Sequence, residues 1–103
     1  MARSKHPPLV LSGAVRTPIG KFGGALASLS AADLGAAAAK ACLERSGCAP
    51  ERVDQAIFGH GRQAGGGPNT ARQIGYRAGL PVSRPAFTVN QACGSGLQAV
   101  LSA

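Results

Sequence analysis

An α/β layered fold is predicted from two features of the chain. Short apolar runs alternate with segments that carry helix start and stop signals, in the order strand-helix-strand-helix-strand-helix. Glycine or proline stands at the switches between them. The length of 103 residues allows one domain at most. Right-handed crossovers are expected wherever adjacent strands run parallel.

Residues 1–8 read as a disordered basic tail. No apolar core follows them, so they are not a secretory signal. Residues 9–15 form an apolar run that predicts a buried first strand. Pro18 and Gly20 then break the chain into a turn. Ser30 with Asp33 three residues on is a capping-box pattern, and it predicts a helix over 31–45. Leu34, Ala37, Ala38, Ala41 and Cys42 recur at the helical spacing, and Gly47 supplies the stop. Residues 53–59 predict the second strand. A glycine-rich loop covers 60–68. Asn69 can cap a short helix over 70–78, which Gly79 and Pro81 close. Residues 86–90 predict the third strand, and a third helix begins at Gly94.

Composition narrows the function classes. The net charge is +7, and the four acids (Asp33, Glu44, Glu51, Asp54) lie in one segment. That balance permits polyanion binding. The basic residues are scattered, however, and the aromatics are one tyrosine and three phenylalanines, with no nucleic-acid motif. The arginines are expected to face water or to meet acidic groups in missing sequence or a partner. No run of 18 apolar residues predicts a membrane span. Three cysteines without framework spacing fit a reducing compartment, so the cytoplasm is the expected location. Cys42 and Cys48 lack nearby histidines and are not expected to bind zinc. The Gly65-Gly66-Gly67-Pro68 loop lacks the Lys-Ser/Thr of a P-loop and the spacing of a dinucleotide fingerprint. Little large aliphatic surface is available for a core, and small residues suit close helix-on-sheet packing.

The chemistry points to Phe87-Thr88-Val89-Asn90-Gln91-Ala92-Cys93-Gly94-Ser95-Gly96-Leu97. A strand leads into a cysteine on a tight turn, and a helix follows. A thiol there faces the positive end of the helix dipole, which favours a thiolate. Gly94 and Gly96 remove bulk, so a substrate carbonyl can approach the sulfur and nearby N–H groups. Placement alone leaves two readings of Cys93 open, a reactive thiol or a small packed hydrophobe.

The longer pattern resembles one family. Asn90-Gln91-Ala92-Cys93-Gly94-Ser95-Gly96-Leu97-Gln98-Ala99 is similar to the nucleophile segment of the thiolases. Ser12-Gly13-Ala14-Val15-Arg16-Thr17-Pro18-Ile19-Gly20-Lys21-Phe22-Gly23-Gly24 resembles their N-terminal strand and loop. Asn69-Thr70-Ala71-Arg72-Gln73, followed by Ala78-Gly79-Leu80-Pro81, resembles their second helix and its exit. Many members carry Gln where Pro68 stands and Pro where Thr70 stands.

The resemblance implies a layered thiolase-like fold, with residues 9–103 a partial N-terminal domain truncated within the helix after the nucleophile. It implies an acyl-CoA C-acyltransferase that forms an acyl-cysteine thioester. Cys93 would be the nucleophile, and its backbone N–H would enter the oxyanion hole. The reaction would be thiolysis of 3-ketoacyl-CoA or Claisen condensation of acyl-CoA, as in fatty acid metabolism. CoA thioesters would be substrates, with no further cofactor and no metal. The full-length protein would be a homodimer or homotetramer, with no nucleic-acid or membrane partner. CoA-binding residues are not identified.

The family also uses a histidine and a second cysteine from its C-terminal half. This chain has only His6 and His60, and neither matches that histidine. His60 follows the second strand and can approach the Cys93 turn. Two alternatives therefore stand beside the thiolase reading. One is a catalytically inactive fragment or associating subunit. The other is a ketoacyl-synthase-like condensing enzyme, with an acyl-carrier-protein partner.

Overall fold

The computed structural model describes residues 5–103. Among them lie three α-helices, α1 (Ala31–Ser46), α2 (Thr70–Arg77) and α3 (Ser95–Ser102). Two strands, β1 (Ala56–Gly59) and β2 (Ala86–Val89), pair in parallel, with Ala56 opposite Ala86 and Gly59 opposite Val89. The ladder continues at both ends, as Ala56 N–H donates to Pro85 C=O and His60 N–H to Val89 C=O. The predicted α/β class holds. Residues 1–4 of the expected tail lie outside the described residues.

The first predicted strand is not formed. Residues 9–15 have no regular structure, and Leu9, Val10 and Leu11 are exposed. An apolar run becomes a strand only where a neighbour accepts its ladder bonds. Here the segment meets α1 instead: Cys42 Sγ lies 3.9 Å from Ser12 C=O, and Arg45 donates to Ala14 C=O. β1 also starts later than predicted. Pro50–Arg52 form a 3₁₀ turn, and Val53 N–H closes it on Pro50 C=O. Pro50 sits at the first position of that turn, where its fixed φ and missing N–H are tolerated.

α1 is delimited as its sequence predicts. Ser30 Oγ accepts from Asp33 N–H at 3.0 Å, and Asp33 accepts from Ser30 N–H at 2.9 Å. At the other end Gly47 takes a left-handed conformation (φ 65°), and Cys48 N–H reaches back to Leu43 C=O. Ala32 and Ala36 bury one face of α1. Gly35 lets α1 approach α2, because a Cβ there would overlap the Ile74 side chain. Ile74 is only 3% exposed and is the largest residue of a core otherwise built of alanines. An apolar groove of about 490 Å³ remains beside this core, between residues 12–15, α1, β1 and α2.

Several arginines serve the chain's own backbone, which sequence reasoning did not anticipate. Arg72 donates to Arg84 C=O at 2.8 Å and to Val82 C=O at 3.4 Å. Arg84 in turn donates to Glu51 C=O at 3.1 Å. These bonds tie the connection after α2 to the 3₁₀ turn. Arg77 pairs with Asp33 at 2.9 Å, an exposed contact of small energetic weight.

Two outcomes are expected. Ile74→Val should lower stability by about 1 kcal/mol and Ile74→Ala by about 2–5 kcal/mol, because removed methyl groups leave a gap in a close-packed site. Urea titration followed by circular dichroism measures both. The second outcome concerns acid. The Asp33 carboxyl is held below its ordinary value, chiefly by the Ser30 N–H, then by the Ser30 hydroxyl, and also by the Arg77 charge. Its folded pKa is depressed, so its contribution is fully present above the unfolded value, near pH 4. That contribution is lost as pH falls through the folded value. Asp33→Asn should therefore flatten the acid limb of the stability profile, measured by urea midpoints between about pH 5 and 2.

Candidate active site

The C-terminal ends of β1 and β2 lie side by side, and Cys93 follows β2 there. β2 ends at Val89, one residue before the predicted boundary, and Asn90 turns its side chain to the next segment. Asn90 Oδ1 accepts from Ala92 N–H at 3.0 Å. Gly94 N–H donates to Gln91 C=O at 3.0 Å, and Ser95 N–H to Ala92 C=O at 3.2 Å. Gln91 N–H donates to Ser95 Oγ at 2.8 Å. The N–H groups of Gln91, Ala92, Gly94 and Ser95, two on each side of Cys93, are thus accepted within the turn, and none of these bonds uses the Cys93 N–H.

Ala92 has φ +49°, in the left-handed region that L-residues other than Gly, Asn and Asp seldom enter. Such a residue persists where its surroundings over-determine it, and these positions cluster at functional sites. Cys93 itself is exposed. Gly94 caps α3 without any side-chain bond, and α3 runs from Ser95 rather than from Gly94. A Cβ at Gly96 would meet nothing within 4 Å, so the space directly beside it is open.

Two glycines let β1 reach this turn. A Cβ on Gly59 would overlap the Ser95 carbonyl and the Gly96 nitrogen, and one on Gly61 would lie 2.8 Å from Ala92 O. Sequence reasoning passed over both, because their constraint is a contact with residues more than thirty positions away. It also quoted Ser95 only as part of a motif, whereas the structure buries it to 4% exposure beneath the turn.

His60 lies at the same end of the sheet, half-buried. Its Nδ1 shares a hydrogen bond with Thr70 Oγ1 at 2.8 Å. That bond joins it to the start of α2. The glycine-rich loop is likewise bound to α2, since Gln73 Nε2 donates to Gly66 C=O and Pro68 C=O. Cys42 and Cys48 are half-buried, each with Sγ directed at a backbone carbonyl. Among the described residues no cluster of His, Cys, Asp or Glu could hold a metal, and no helix is long and apolar enough to cross a membrane.

Residues 9–103 match the family model for the thiolase N-terminal domain. The chain belongs to the thiolase family. An acetyl-CoA acetyltransferase of Cupriavidus necator is 52% identical over 95 residues, which are 92% of this chain and 24% of that protein. An acetyl-CoA acetyltransferase of Clostridioides difficile is 47% identical over 90 residues, covering 87% of this chain and 84% of that relative. The crystal structure of the Bacillus anthracis acetyl-CoA acetyltransferase superposes with a TM-score of 0.84 at 39% identity, over 90% of this chain and 24% of that one. This thiolase chain thus spans about a quarter of the length of most such relatives.

The close approach of β1 to the turn yields an expectation. Gly59→Ala sets a methyl group against backbone that has no rotamer to yield. It should lower stability by about 1–3 kcal/mol. The same substitution at Gly96, which faces open space, should leave the thermal midpoint within about 2 °C of the parent or raise it slightly. Thermal melts of the two variants test the contrast.

Proposed function

We propose that residues 9–103 carry the acyl-accepting nucleophile of a thiolase-type acyl-CoA C-acyltransferase, with Cys93 in that role. One observation carries the reading: an exposed thiol on an internally bonded, left-handed turn at a helix N-terminus, in a chain of the thiolase family. Cys93 Sγ attacks the carbonyl carbon of an acyl-CoA thioester. The bond from that carbon to the CoA sulfur breaks, and the acyl group rests on Cys93. The proton of the Cys93 thiol ends on the departing CoA thiol. The Cys93 N–H faces the developing oxyanion, where a fixed donor is worth more than in water. A thiolate suits both stages, since it attacks thioesters well and leaves readily.

The acyl group then passes to a second thiol or thioester. In thiolysis Cys93 Sγ instead attacks the 3-keto carbon of a 3-ketoacyl-CoA, and the C2–C3 bond breaks. The carbanion takes the thiol proton and leaves as acetyl-CoA, and free CoA then takes the acyl group and returns a proton to Cys93. In Claisen condensation the carbanion of a second acyl-CoA takes the acyl group. The printed name of the relatives, acetyl-CoA acetyltransferase, supports acetyl as the group carried. CoA thioesters are substrates in this reading, with no other cofactor. The setting is the acyl-chain metabolism of the cytoplasm, in a full-length homodimer or homotetramer.

The family resemblance calls on a histidine that activates the nucleophile and on a second cysteine that serves as acid and base, and neither has a match among His6, His60, Cys42 and Cys48. The 103-residue chain by itself is therefore expected to acylate slowly, without the activating histidine, and not to turn over. Purified chain incubated with acetyl-CoA should acquire one acetyl group, located on Cys93 by peptide mass spectrometry and absent in Cys93→Ala. It should not cleave acetoacetyl-CoA continuously. Acetylation spread equally over Cys42, Cys48 and Cys93 would sink the nucleophile assignment. Continuous cleavage lost in Cys93→Ala would instead show that the chain completes the reaction unaided.

A further inference from the structure

We propose that Ser95 is a positioning residue for Cys93, an inference that rests on the nucleophile reading above. Its hydroxyl is buried, at 4% residue exposure, and bridges both sides of the turn. Ser95 Oγ accepts from Gln91 N–H at 2.8 Å and donates to Ala92 C=O at 2.6 Å. Ala92 C=O also receives the Ser95 N–H at 3.2 Å. One residue thereby fixes the Asn90–Gln91 peptide group and the Ala92–Cys93 peptide group, which enter and leave the Gln91-Ala92 segment, and Ala92 is the left-handed residue that immediately precedes the nucleophile. Those two groups set the direction in which Cys93 leaves the turn. They therefore set where its Sγ and its N–H point.

The hydroxyl is suited to this task by its inventory of one donor and two acceptor sites. Alanine at this position removes both bonds and leaves the Gln91 N–H without its acceptor. Ala92 then has less to hold it against the left-handed cost, and a relaxed φ swings Cys93 away. Asn90 contributes a single bond to the same turn, to the Ala92 N–H. Ser95 is the residue that spans it.

The test uses the full chain and two probes, acetyl-CoA and iodoacetamide, with initial rates at Cys93 read by peptide mass spectrometry across pH. Ser95→Ala is expected to slow both modifications of Cys93 by about tenfold. Labelling of Cys42, which rests on Ser12 far from the turn, should stay at the parent rate and report an intact fold. Ser95→Thr, which keeps the hydroxyl, should recover most of the rate. Ala92→Gly placed in the Ser95→Ala background should recover part of it, because glycine enters the left-handed region without cost. Parent rates in Ser95→Ala would overturn the proposal. So would equal losses in all three variants with Cys42 newly labelled, since that pattern belongs to a residue needed only for folding. If acetyl-CoA fails to modify Cys93 in the parent chain, the acyltransfer reading falls. The iodoacetamide rates then decide the role of Ser95 separately, the same slowing and rescue supporting it and parent rates refuting it.

Discussion

Everything at the Cys93 end of the molecule depends on one close approach. The last residue of β1, Gly59, lies against the backbone of Ser95 and Gly96, where no Cβ can fit. That contact joins the start of α3 to the sheet directly, peptide against peptide. β1 and β2 run parallel, so their C-terminal ends share one side, and the chain leaving β2 must turn over the end of β1. With Gly59 and Gly61 offering no side chains, the turn can settle low enough for Ser95 to be buried beneath it. A bulkier residue at 59 would lift α3 and carry the buried hydroxyl away from its two partners.

The start of α2 is tied along β2 and, through His60, to the end of β1. Asn69 caps α2 through Arg72 N–H and donates to Ala86 C=O, while Thr88 Oγ1 accepts from Ala71 N–H and donates to Asn69 Oδ1. The Asn69 cap and the Thr88 hydroxyl therefore satisfy helix N–H groups that would otherwise lack partners. Thr70, 4% exposed, extends this network to His60. Each bond contributes only about 1 kcal/mol, yet together they fix α2 relative to both strands. An apolar core of alanines and one isoleucine could not fix that geometry through shape alone. Polar ties replace bulk where bulk is scarce.

The sequence was legible where the determinant is local. The Ser30–Asp33 box, the Gly47 stop and the Asn69 cap each act within a few residues, and the helices begin where these signals stand. Cys93 was legible because strand, turn and helix follow one another without interruption. Residues 9–15 misled for the opposite reason. Their apolar character is a local property, whereas a strand requires a neighbour, and none pairs with them among the described residues. Gly59, Gly61 and the carbonyl-directed arginines were illegible on the same ground. Their partners are remote in sequence, and no pattern of spacing announces them. Ser95 lay in full view inside a quoted motif, but burial beneath a turn is a property of the folded chain.

The turn also illustrates how an unfavourable residue can be retained. A non-glycine residue in the left-handed region costs about 1–2 kcal/mol. The bonds from Asn90, from the Ser95 hydroxyl and from the Gly94 and Ser95 N–H groups each return about 1 kcal/mol, and they engage Asn90, Gln91, Ala92, Gly94 and Ser95. Their sum is of the size of that cost or larger, so the bonds are large enough to hold Ala92 left-handed. Had the same bonds been spent on a relaxed turn, Cys93 would follow an ordinary backbone path toward α3. Holding Ala92 left-handed reverses the local direction of the chain just before the thiol and leaves the thiol exposed at the mouth of the turn. The strain is thus confined to a residue that does no chemistry. The residue that would do it carries neither the strain nor any of the bonds that contain it.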